Sequence, residues 1–293
     1  MEKRLAGIFA PNTTPFQNEA VFIEQLKENI HKYSKTCLSG FLVLGSNGEN
    51  KSLTDNEKLN ILEAVLEEKD DHQLVMAGTG FESTSQTIAF SQKAAELGAD
   101  FVSLLTPSYF KKRLTDDVMI KYYSDVAEAL TIPVLVYNAP GFTGMTITPK
   151  TIETISKHPN IVGMKDTSPG NIGRYLEVCG DNFDVLAGTI NTLFIGLALG
   201  ASGGVVSLAN AFPQPCCDLY QKVVDGDFEA ARKLHYTLYR LNHSVSGSFG
   251  VAGVKFAMEV AGYYGGPPRL PLFPLDDNDK RQISNAIAQA GLI

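Results

Sequence analysis

Short apolar runs recur along the chain and alternate with longer stretches in which apolar residues repeat at helical spacing. The runs are nearly continuous, which is typical of parallel strands that are buried on both faces. Eight runs are present, at residues 5–11, 40–46, 73–79, 100–107, 132–140, 160–165, 183–189 and 203–210. Eight βα units at roughly 20–35-residue spacing predict an α/β protein with a (β/α)8 TIM barrel, with a doubly wound open sheet as the alternative.

Helix signals lie between these runs. Thr54 with Glu57 three residues later forms a capping-box pattern at the start of one helix, and another helical stretch ends at Gly98. After Asn210 no strand pattern follows, whereas the stretches 227–245, 250–264 and 278–293 have helical patterns. We therefore predict a catalytic barrel over residues 1–225 and a C-terminal helical extension over residues 226–293.

Composition narrows the function classes. The chain has 293 residues and a formal net charge of −7, without the clustered Lys and Arg that nucleic acid or an anionic membrane surface requires. The uncharged stretch from Val185 to Cys217 is interrupted by glycines, so it predicts a buried helix and strand rather than a membrane span. The N-terminus lacks a secretion signal, which predicts a cytoplasmic protein, and the cysteine spacing predicts reduced thiols.

Functional side chains of a TIM barrel lie at the C-terminal ends of its strands. The ends of the predicted strands carry the turn 45–49, the pair Tyr137–Asn138 and the pair Lys165–Asp166. None of the histidines falls there; they are His31, His72, His158, His235 and His243. Glu49 and Asp166 are too few carboxylates for a divalent metal site, so no metal is predicted.

Lys165 is the unusual residue among these, because it follows Ile161–Met164 in a run that predicts a buried strand. Burial favours the neutral form of a lysine, and a neutral amine is a nucleophile. This position predicts a catalytic amine. The alternative is a structural ammonium that forms an ion pair with Asp166 or Glu49.

Two further features lie near this predicted amine. Tyr137 ends the preceding strand, which places its phenol beside Lys165, either as a proton shuttle or as a packed tyrosine. The sequence GSNGEN at 45–50 presents backbone N–H groups for a carboxylate or a phosphate, unless it is a plain βα turn.

Three competing motifs fail on spacing or context. GSNGENKS lacks the spacing of a nucleotide-binding P-loop, and GTGFES at 78–83 lacks the third glycine of a dinucleotide fingerprint. GASGG at 200–204 matches a nucleophile elbow around Ser202. Its context is reversed, however, because a helical stretch precedes it and a strand follows.

The segments GSNGE, YNAP and GMKDTS, in this order and spacing, make the chain resemble the dihydrodipicolinate synthase/N-acetylneuraminate lyase family of Schiff-base aldolases. The resemblance covers essentially the whole chain. Within that family the chain looks most like 4-hydroxy-2-oxoglutarate aldolases, through GSNGEN, KHPNIVGMKD, GASGGVVSLAN and GYYGGPPRLPL. The resemblance implies a lyase that releases pyruvate and an aldehyde from a short 2-oxo acid, with no metal and no organic cofactor.

The resemblance also implies roles for individual residues. Lys165 would form the imine with the 2-oxo acid, Tyr137 would move the proton, and the hydroxyl of Ser46 would relay it. Backbone N–H groups of the turn at Ser46, Asn47 and Gly48 would bind the substrate carboxylate, while the Val205 carbonyl lines the pocket. Tyr109 would enter the active site of a neighbouring subunit, as in a homotetramer that is a dimer of dimers.

Departures from the family pattern bear on the substrate. The synthases carry an arginine that grips the carboxylate of the second substrate, and Phe142 stands at that position. Ser46 in place of a threonine, and Ser108 and Phe110 around Tyr109, favour the aldolase in the same way. Arg269 is predicted to be structural. The alternatives are 4-hydroxy-tetrahydrodipicolinate synthase, which condenses pyruvate with aspartate semialdehyde, and a non-catalytic carboxylate-binding barrel.

Overall fold

A computed structural model describes residues 5–180 and 182–292. Eight parallel strands close into a barrel in the order β1-β10-β9-β8-β7-β6-β5-β4, and a short hairpin precedes the first helix. The barrel strands are β1 (Gly7–Pro11), β4 (Gly40–Val43), β5 (Leu74–Gly78), β6 (Phe101–Leu105), β7 (Val134–Asn138), β8 (Ile161–Asp166), β9 (Asp184–Ala187) and β10 (Gly203–Val205). The hairpin strands are β2 (Phe16–Gln17) and β3 (Ala20–Val21). All eight predicted strands are confirmed, and the TIM barrel is correct rather than the open sheet.

Helices connect the strands on the outside of the barrel. Those of the βα units are α1 (Ile23–Tyr33), α2 (Asp55–Glu68), α3 (Thr84–Leu97), α4 (Asp116–Glu128), α5 (Pro140–Thr143), α6 (Pro149–Ile155), α7 (Ile172–Val178), α8 (Ile190–Ala198) and α9 (Pro213–Val224). The last three are α10 (Phe228–Asn242), α11 (Ser248–Val260) and α12 (Asp277–Ala290). The predicted helical extension is therefore present, whereas its boundary at residue 225 stays a prediction.

The predicted helix ends have the expected physical basis. The Thr54 side chain accepts a hydrogen bond from the Glu57 N–H, and the Glu57 carboxylate accepts one from the Thr54 N–H, which completes the capping box. Helix α3 ends at Gly98, whose φ of 103° lies in the left-handed region that glycine adopts without steric cost.

Side-chain alternation along the strands creates two cores. One set of residues fills the inside of the barrel; it comprises Leu5, Phe9, Leu42, Met76, Phe101, Leu135, Leu186 and Val205. A larger set packs between the strands and the helices and includes Val134, Val136 and Met164. Successive residues of a strand point to opposite faces, so strands such as β4 and β6 contribute to both cores.

The barrel closes between β1 and β10, where the strands approach very closely. Gly203 pairs with Gly7, and a Cβ added at Gly203 would lie 2.0 Å from the Gly7 carbonyl oxygen. Only glycine fits this contact, which explains part of the uncharged, glycine-rich stretch. Ser202 precedes β10 and donates a hydrogen bond to the Val185 carbonyl, so it does not form a nucleophile elbow.

The prediction of four reduced thiols is wrong for two of them. Cys37 and Cys217 form a disulfide with their Cα atoms 6.3 Å apart, whereas Cys179 and Cys216 are free. The sequence gives no signal of this pair because 180 residues separate the two cysteines. Closure of the barrel brings them together. Cys217 lies in α9, which packs beside β1, and Cys37 follows α1, the first helix after β1.

No described helix combines the length and the apolar character that a membrane span requires. The stretch from Val185 to Cys217 instead contains α8, β10 and the start of α9. A helix and a buried strand follow one another as predicted, but the helix is not buried, because Ile195 of α8 is 54% exposed and Leu199 at its end is 55% exposed.

Candidate active site

Register between two neighbouring strands places the candidate amine and phenol side by side. Tyr137 of β7 is paired with Lys165 of β8, and the Lys165 Nζ lies 4.2 Å from the centroid of the Tyr137 ring. Both residues are 4% exposed. Leu135, which lies two residues before Tyr137, belongs to the inner core of the barrel. Tyr137 and Lys165 therefore point into the C-terminal mouth of the barrel.

Neither carboxylate proposed as a structural partner contacts Lys165. Asp166 faces the helices, where its carboxylate accepts hydrogen bonds from Asn138 Nδ2 at 2.7 Å and from the Ser168 N–H at 3.0 Å. Burial raises the pKa of Asp166, and these hydrogen bonds oppose the rise. Glu49 instead forms an ion pair with Lys255 at 2.6 Å. The structural alternative, in which Lys165 forms an ion pair with Asp166 or Glu49, is therefore not supported by these contacts.

The third candidate side chain comes from the turn after β4. The Ser46 Oγ lies 3.4 Å from the Tyr137 Oη, in the geometry of a long hydrogen bond in which either oxygen could donate. Beside it, the Asn47 Nδ2 donates to the Ser207 Oγ at 2.9 Å, which joins this turn to the segment after β10. The structure thus places amine, phenol and hydroxyl in one continuous row.

The same turn has two backbone donors available for a ligand. The N–H groups of Gly48 and Glu49 donate to the carbonyls of Gly45 and Ser46, both at 3.1 Å. The N–H groups of Ser46 and Asn47 make no hydrogen bond within residues 5–180 and 182–292. Ser46 and Asn47 can therefore bind a carboxylate through the backbone, whereas Gly48 serves the turn itself.

A cavity of about 910 Å³ opens above these groups. Its walls include Ser46, Asn47, Tyr137 and Lys165, and they continue into the C-terminal extension through residues 246–247, 249–252 and 272–275. Among the described residues, no group of three His, Cys, Asp or Glu side chains could hold a metal ion. The Lys165 amine and the hydroxyls of Ser46 and Tyr137 line this cavity, together with the carboxylate residues Glu49, Glu82 and Asp279.

The sequence profile of the dihydrodipicolinate synthetase family matches residues 4–290. The chain belongs to this family. It is 33% identical over 289 residues to a 4-hydroxy-tetrahydrodipicolinate synthase of Geobacter sulfurreducens, with 98% of this chain and 99% of the relative covered. A synthase of Methanospirillum hungatei is 34% identical, with 97% of this chain and 98% of that relative covered.

Solved structures of family members have the same fold. Dihydrodipicolinate synthase of Aquifex aeolicus superimposes with a TM-score of 0.93 at 27% identity, covering 98% of this chain and 99% of the other. YagE, a prophage protein of E. coli K12 in complex with pyruvate, gives a TM-score of 0.92 at 28% identity, and 99% of each chain is covered. Membership makes this chain an aldolase-type enzyme that acts on carbon–carbon bonds through a lysine Schiff base.

The side chains of two predicted site residues of this dihydrodipicolinate synthetase family member do not line its cavity. The Val205 side chain is fully buried in the inner core of the barrel, and the role predicted for the Val205 carbonyl stays a prediction. Tyr109 is 79% exposed and packs edge to face on Phe110, with 4.9 Å between ring centroids. Within one chain, Tyr109 therefore reaches no substrate.

Several cavity residues escaped the sequence analysis. Thr167 and Ser207 follow β8 and β10, and their place after a strand was the available signal. The wall at 246–252 had no such signal, because it belongs to the extension. There a π-helical turn, His243–Gly247, precedes α11, and Gly250 breaks the helix with a φ of 56°.

Phe142, at the position of the synthase arginine, is 71% exposed and lines the mouth of the cavity. No described guanidinium lines this cavity; its cationic residues are Lys51 and Lys165. Burial lowers the pKa of Lys51, and the charge of Glu82 partly opposes this. The mouth thus lacks the planar, bidentate partner that an arginine offers to a carboxylate.

Arg269 has the structural contacts that were predicted for it. Its guanidinium lies 2.7 Å from Glu57 Oε1, and it also donates to the carbonyls of Ser52 and Glu19. The hydrogen bond from Arg269 is the largest cause that lowers the pKa of Glu57 from 4.5 to about 2. The contact joins the extension to the start of α2.

This contact predicts a dependence of stability on pH. Because the pKa of Glu57 is lower in the folded state, its contribution is complete above pH 4.5 and is lost as the pH falls toward 2. Glu57→Gln should lower the free energy of unfolding at pH 7 by less than about 1 kcal/mol, since the pair is partly exposed. Urea unfolding at pH 7, 4 and 2.5 should show that this difference shrinks on acidification. A constant difference would contradict the assignment.

Proposed function

We propose that this protein is a pyruvate-dependent lyase that cleaves 4-hydroxy-2-oxoglutarate, or a similar short 2-oxo acid, to pyruvate and an aldehyde. The observation that carries the proposal is the row Lys165, Tyr137 and Ser46, with 4.2 Å from Nζ to the Tyr137 ring centroid and 3.4 Å between the two hydroxyl oxygens. The free N–H groups of Ser46 and Asn47 lie in the same cavity wall.

The reaction begins at the 2-oxo carbon. The Lys165 amine adds to the C2 carbonyl, Tyr137 donates its proton to the departing hydroxyl group, and loss of water leaves a protonated imine whose nitrogen withdraws electrons. The substrate C1 carboxylate accepts hydrogen bonds from the Ser46 and Asn47 N–H groups, which fix C2 beside the amine.

Cleavage then moves one proton and one electron pair. Tyr137, which gave up its proton when the imine formed, takes the proton of the C4 hydroxyl; the C3–C4 bond breaks, and its electrons pass into the imine to give an enamine. For 4-hydroxy-2-oxoglutarate the departing aldehyde is glyoxylate. The enamine takes a proton at C3, and addition of water releases pyruvate and restores the amine. Ser46 passes the proton between Tyr137 and the cavity.

Two features of the chain support an assembly in which subunits share sites. Tyr109 and Phe110 form an exposed aromatic pair beside the cavity, on a loop whose Ser108 and Tyr109 N–H groups are bound by the Glu82 carboxylate. A rigid, exposed aromatic pair is suited to insertion into a partner subunit. We propose that Tyr109 completes the site of a neighbouring copy in a cytoplasmic homotetramer.

Reduction of the imine tests the proposal. Borohydride added with pyruvate should attach one stable pyruvate-derived group to Lys165, which peptide mass spectrometry locates. Without pyruvate no such mass is expected. An adduct on another lysine, such as the partly buried Lys51, or no adduct at all, would refute the proposed chemistry.

4-Hydroxy-tetrahydrodipicolinate synthase is the second candidate, favoured by the names of the relatives at 33% and 34% identity. Phe142 disfavours it, because a bidentate contact from a guanidinium to a desolvated carboxylate is worth a few kcal/mol. Coupled assays of the two reactions, run side by side, separate the candidates. Efficient condensation of pyruvate with aspartate semialdehyde by the wild-type protein would establish the synthase instead.

Substitution at Phe142 gives a directed form of this comparison. Phe142→Arg should raise kcat/KM for aspartate semialdehyde at least about tenfold, because it supplies the missing bidentate donor. Phe142→Leu is the matched control and should not produce the gain. A gain in both variants would show that removal of the aromatic ring, rather than the added charge, is responsible.

A further inference from the structure

A buried ion pair joins the candidate carboxylate-binding turn to the C-terminal extension. The Lys255 Nζ of α11 lies 2.6 Å from Glu49 Oε1, and the two side chains are 1% and 2% exposed. The other carboxylate oxygen of Glu49 accepts the Arg269 N–H at 2.9 Å, and the Lys255 Nζ donates to the Pro267 carbonyl at 2.9 Å. Glu49 is thus held by two separate segments of the extension.

An aromatic ring fixes the position of these cations. The Lys255 Nζ and the Arg269 Cζ each lie over the Phe16 ring, 4.5 Å from its centroid. Phe16 is fully buried. Cations that are desolvated over an aromatic face interact more strongly with it than exposed ones, so the Lys255 ammonium has one well-defined place.

Glu49 sits at the end of the turn whose free N–H groups belong to Ser46 and Asn47. Its φ of 53° is left-handed, a conformation that costs a non-glycine residue free energy. In this conformation its N–H donates to the Ser46 carbonyl, and on the other side of the turn Thr14 Oγ1 donates to the Gly48 carbonyl at 2.7 Å. Glu49 therefore closes the turn with its backbone N–H, while its side chain is held by Lys255 and by the Arg269 N–H.

Charge gives the pair a second effect. A carboxylate within three residues of an anion-binding turn would repel the substrate carboxylate if its charge were unbalanced. Lys255 balances that charge at 2.6 Å. Burial lowers the pKa of Lys255, and the charge of Glu49 opposes this most strongly.

We propose that Glu49 and Lys255 are positioning residues for the substrate carboxylate, which they control through the backbone of the turn 45–49. They hold the Ser46 and Asn47 N–H groups toward the carboxylate. Lys255 also balances the negative charge of Glu49 beside the turn. The inference rests on the proposed function, since it assigns a task to two residues behind the same site. Both side chains are almost fully buried, so they act on the carboxylate through the turn.

A pair of matched ketones separates positioning from mere stability. Pyruvate and hydroxyacetone can both form an imine at Lys165, but only pyruvate has a carboxylate. The readout is the ratio of the ketone concentrations that give half-maximal borohydride trapping at Lys165. This ratio does not depend on the folded fraction, so a variant of lower stability remains informative.

The variants are Glu49→Gln, which keeps an acceptor for the Arg269 N–H, and the double variant Glu49→Gln with Lys255→Met, which removes both charges. In each variant, the pyruvate concentration that gives half-maximal trapping should rise about tenfold or more relative to the hydroxyacetone concentration. A change of this size is expected when charge-assisted hydrogen bonds are lost. Glu49→Asp should restore part of the preference. Glu57→Gln breaks the exposed contact to Arg269 and should leave the ratio unchanged.

The outcomes distinguish the two proposals. If the wild-type protein gives no adduct at Lys165 with pyruvate, the proposed function fails, and this inference fails with it. If the adduct forms and the ratio is the same in the wild type, Glu49→Gln and the double variant, only the inference fails. A change of equal size in Glu57→Gln would also overturn it, because any disturbance of the extension would then have the same effect.

Discussion

Lys165→Ala is expected to lower turnover of the 2-oxo acid by at least about a thousandfold, because no other group can form the imine that accepts the electrons of the broken bond. Lys165 is the amine at the bottom of the cavity, 4.2 Å from the Tyr137 ring centroid and nearly inaccessible to solvent. The loss should appear in kcat, and borohydride with pyruvate should no longer add mass to the protein. Steady-state pyruvate release and intact-protein mass spectrometry measure the two effects.

Lys165→Arg is the control that separates a nucleophile from a cation. Arginine keeps the positive charge but stays protonated, so it cannot add to the carbonyl. We expect it to be as inactive as the alanine variant. If the wild-type protein lacked turnover and both variants kept their affinity for pyruvate, the results would instead support a non-catalytic carboxylate-binding barrel.

Lys255→Met is expected to lower the free energy of unfolding by about 3–5 kcal/mol, the largest stability effect we predict. The substitution removes the ion-pair partner of Glu49, whose side chain is 2% exposed, and so leaves a buried carboxylate without its nearest counter-charge. It also removes the donor to the Pro267 carbonyl. Urea unfolding monitored by circular dichroism gives the difference, at one protein concentration for all variants.

The double variant Glu49→Gln with Lys255→Met should recover much of this loss, since neither charge then remains buried. Replacement of a whole buried pair is often nearly neutral, whereas removal of one partner is not. If Lys255→Met is no less stable than the double variant, the ion pair contributes little to the free energy of unfolding. Lys58→Met tests a lysine outside the cavity, whose contact to Asp55 is partly exposed, and should cost much less.

The fold could be predicted from the sequence because its signals are local. A strand buried on both faces must be apolar along its length, and a capped helix shows its first turn in residues such as Thr54 and Glu57. The disulfide between Cys37 and Cys217 could not be predicted, because their proximity results from closure of the whole barrel. Spacing along the chain carries no trace of it.

The site was predictable to the extent that strand ends define it. Tyr137 and Lys165 meet because their strands are neighbours in register, and Ser46 follows the end of another strand. Gly48 shows the limit, since its position after a strand does not reveal that its N–H is already used within the turn. The wall formed by residues 246–252 depends on how the extension docks, which no local pattern encodes.

Alternation along β8 also restricts how this enzyme can evolve. Asp166 and Lys165 are adjacent in the chain yet serve different layers, so a one-residue shift in the pairing of residues 163–166 with β7 would turn the amine toward the helices. Loops beyond the strand ends carry no such constraint. New substrates can therefore arise through changes of loop length and composition around the rim, while strand lengths near the amine stay fixed.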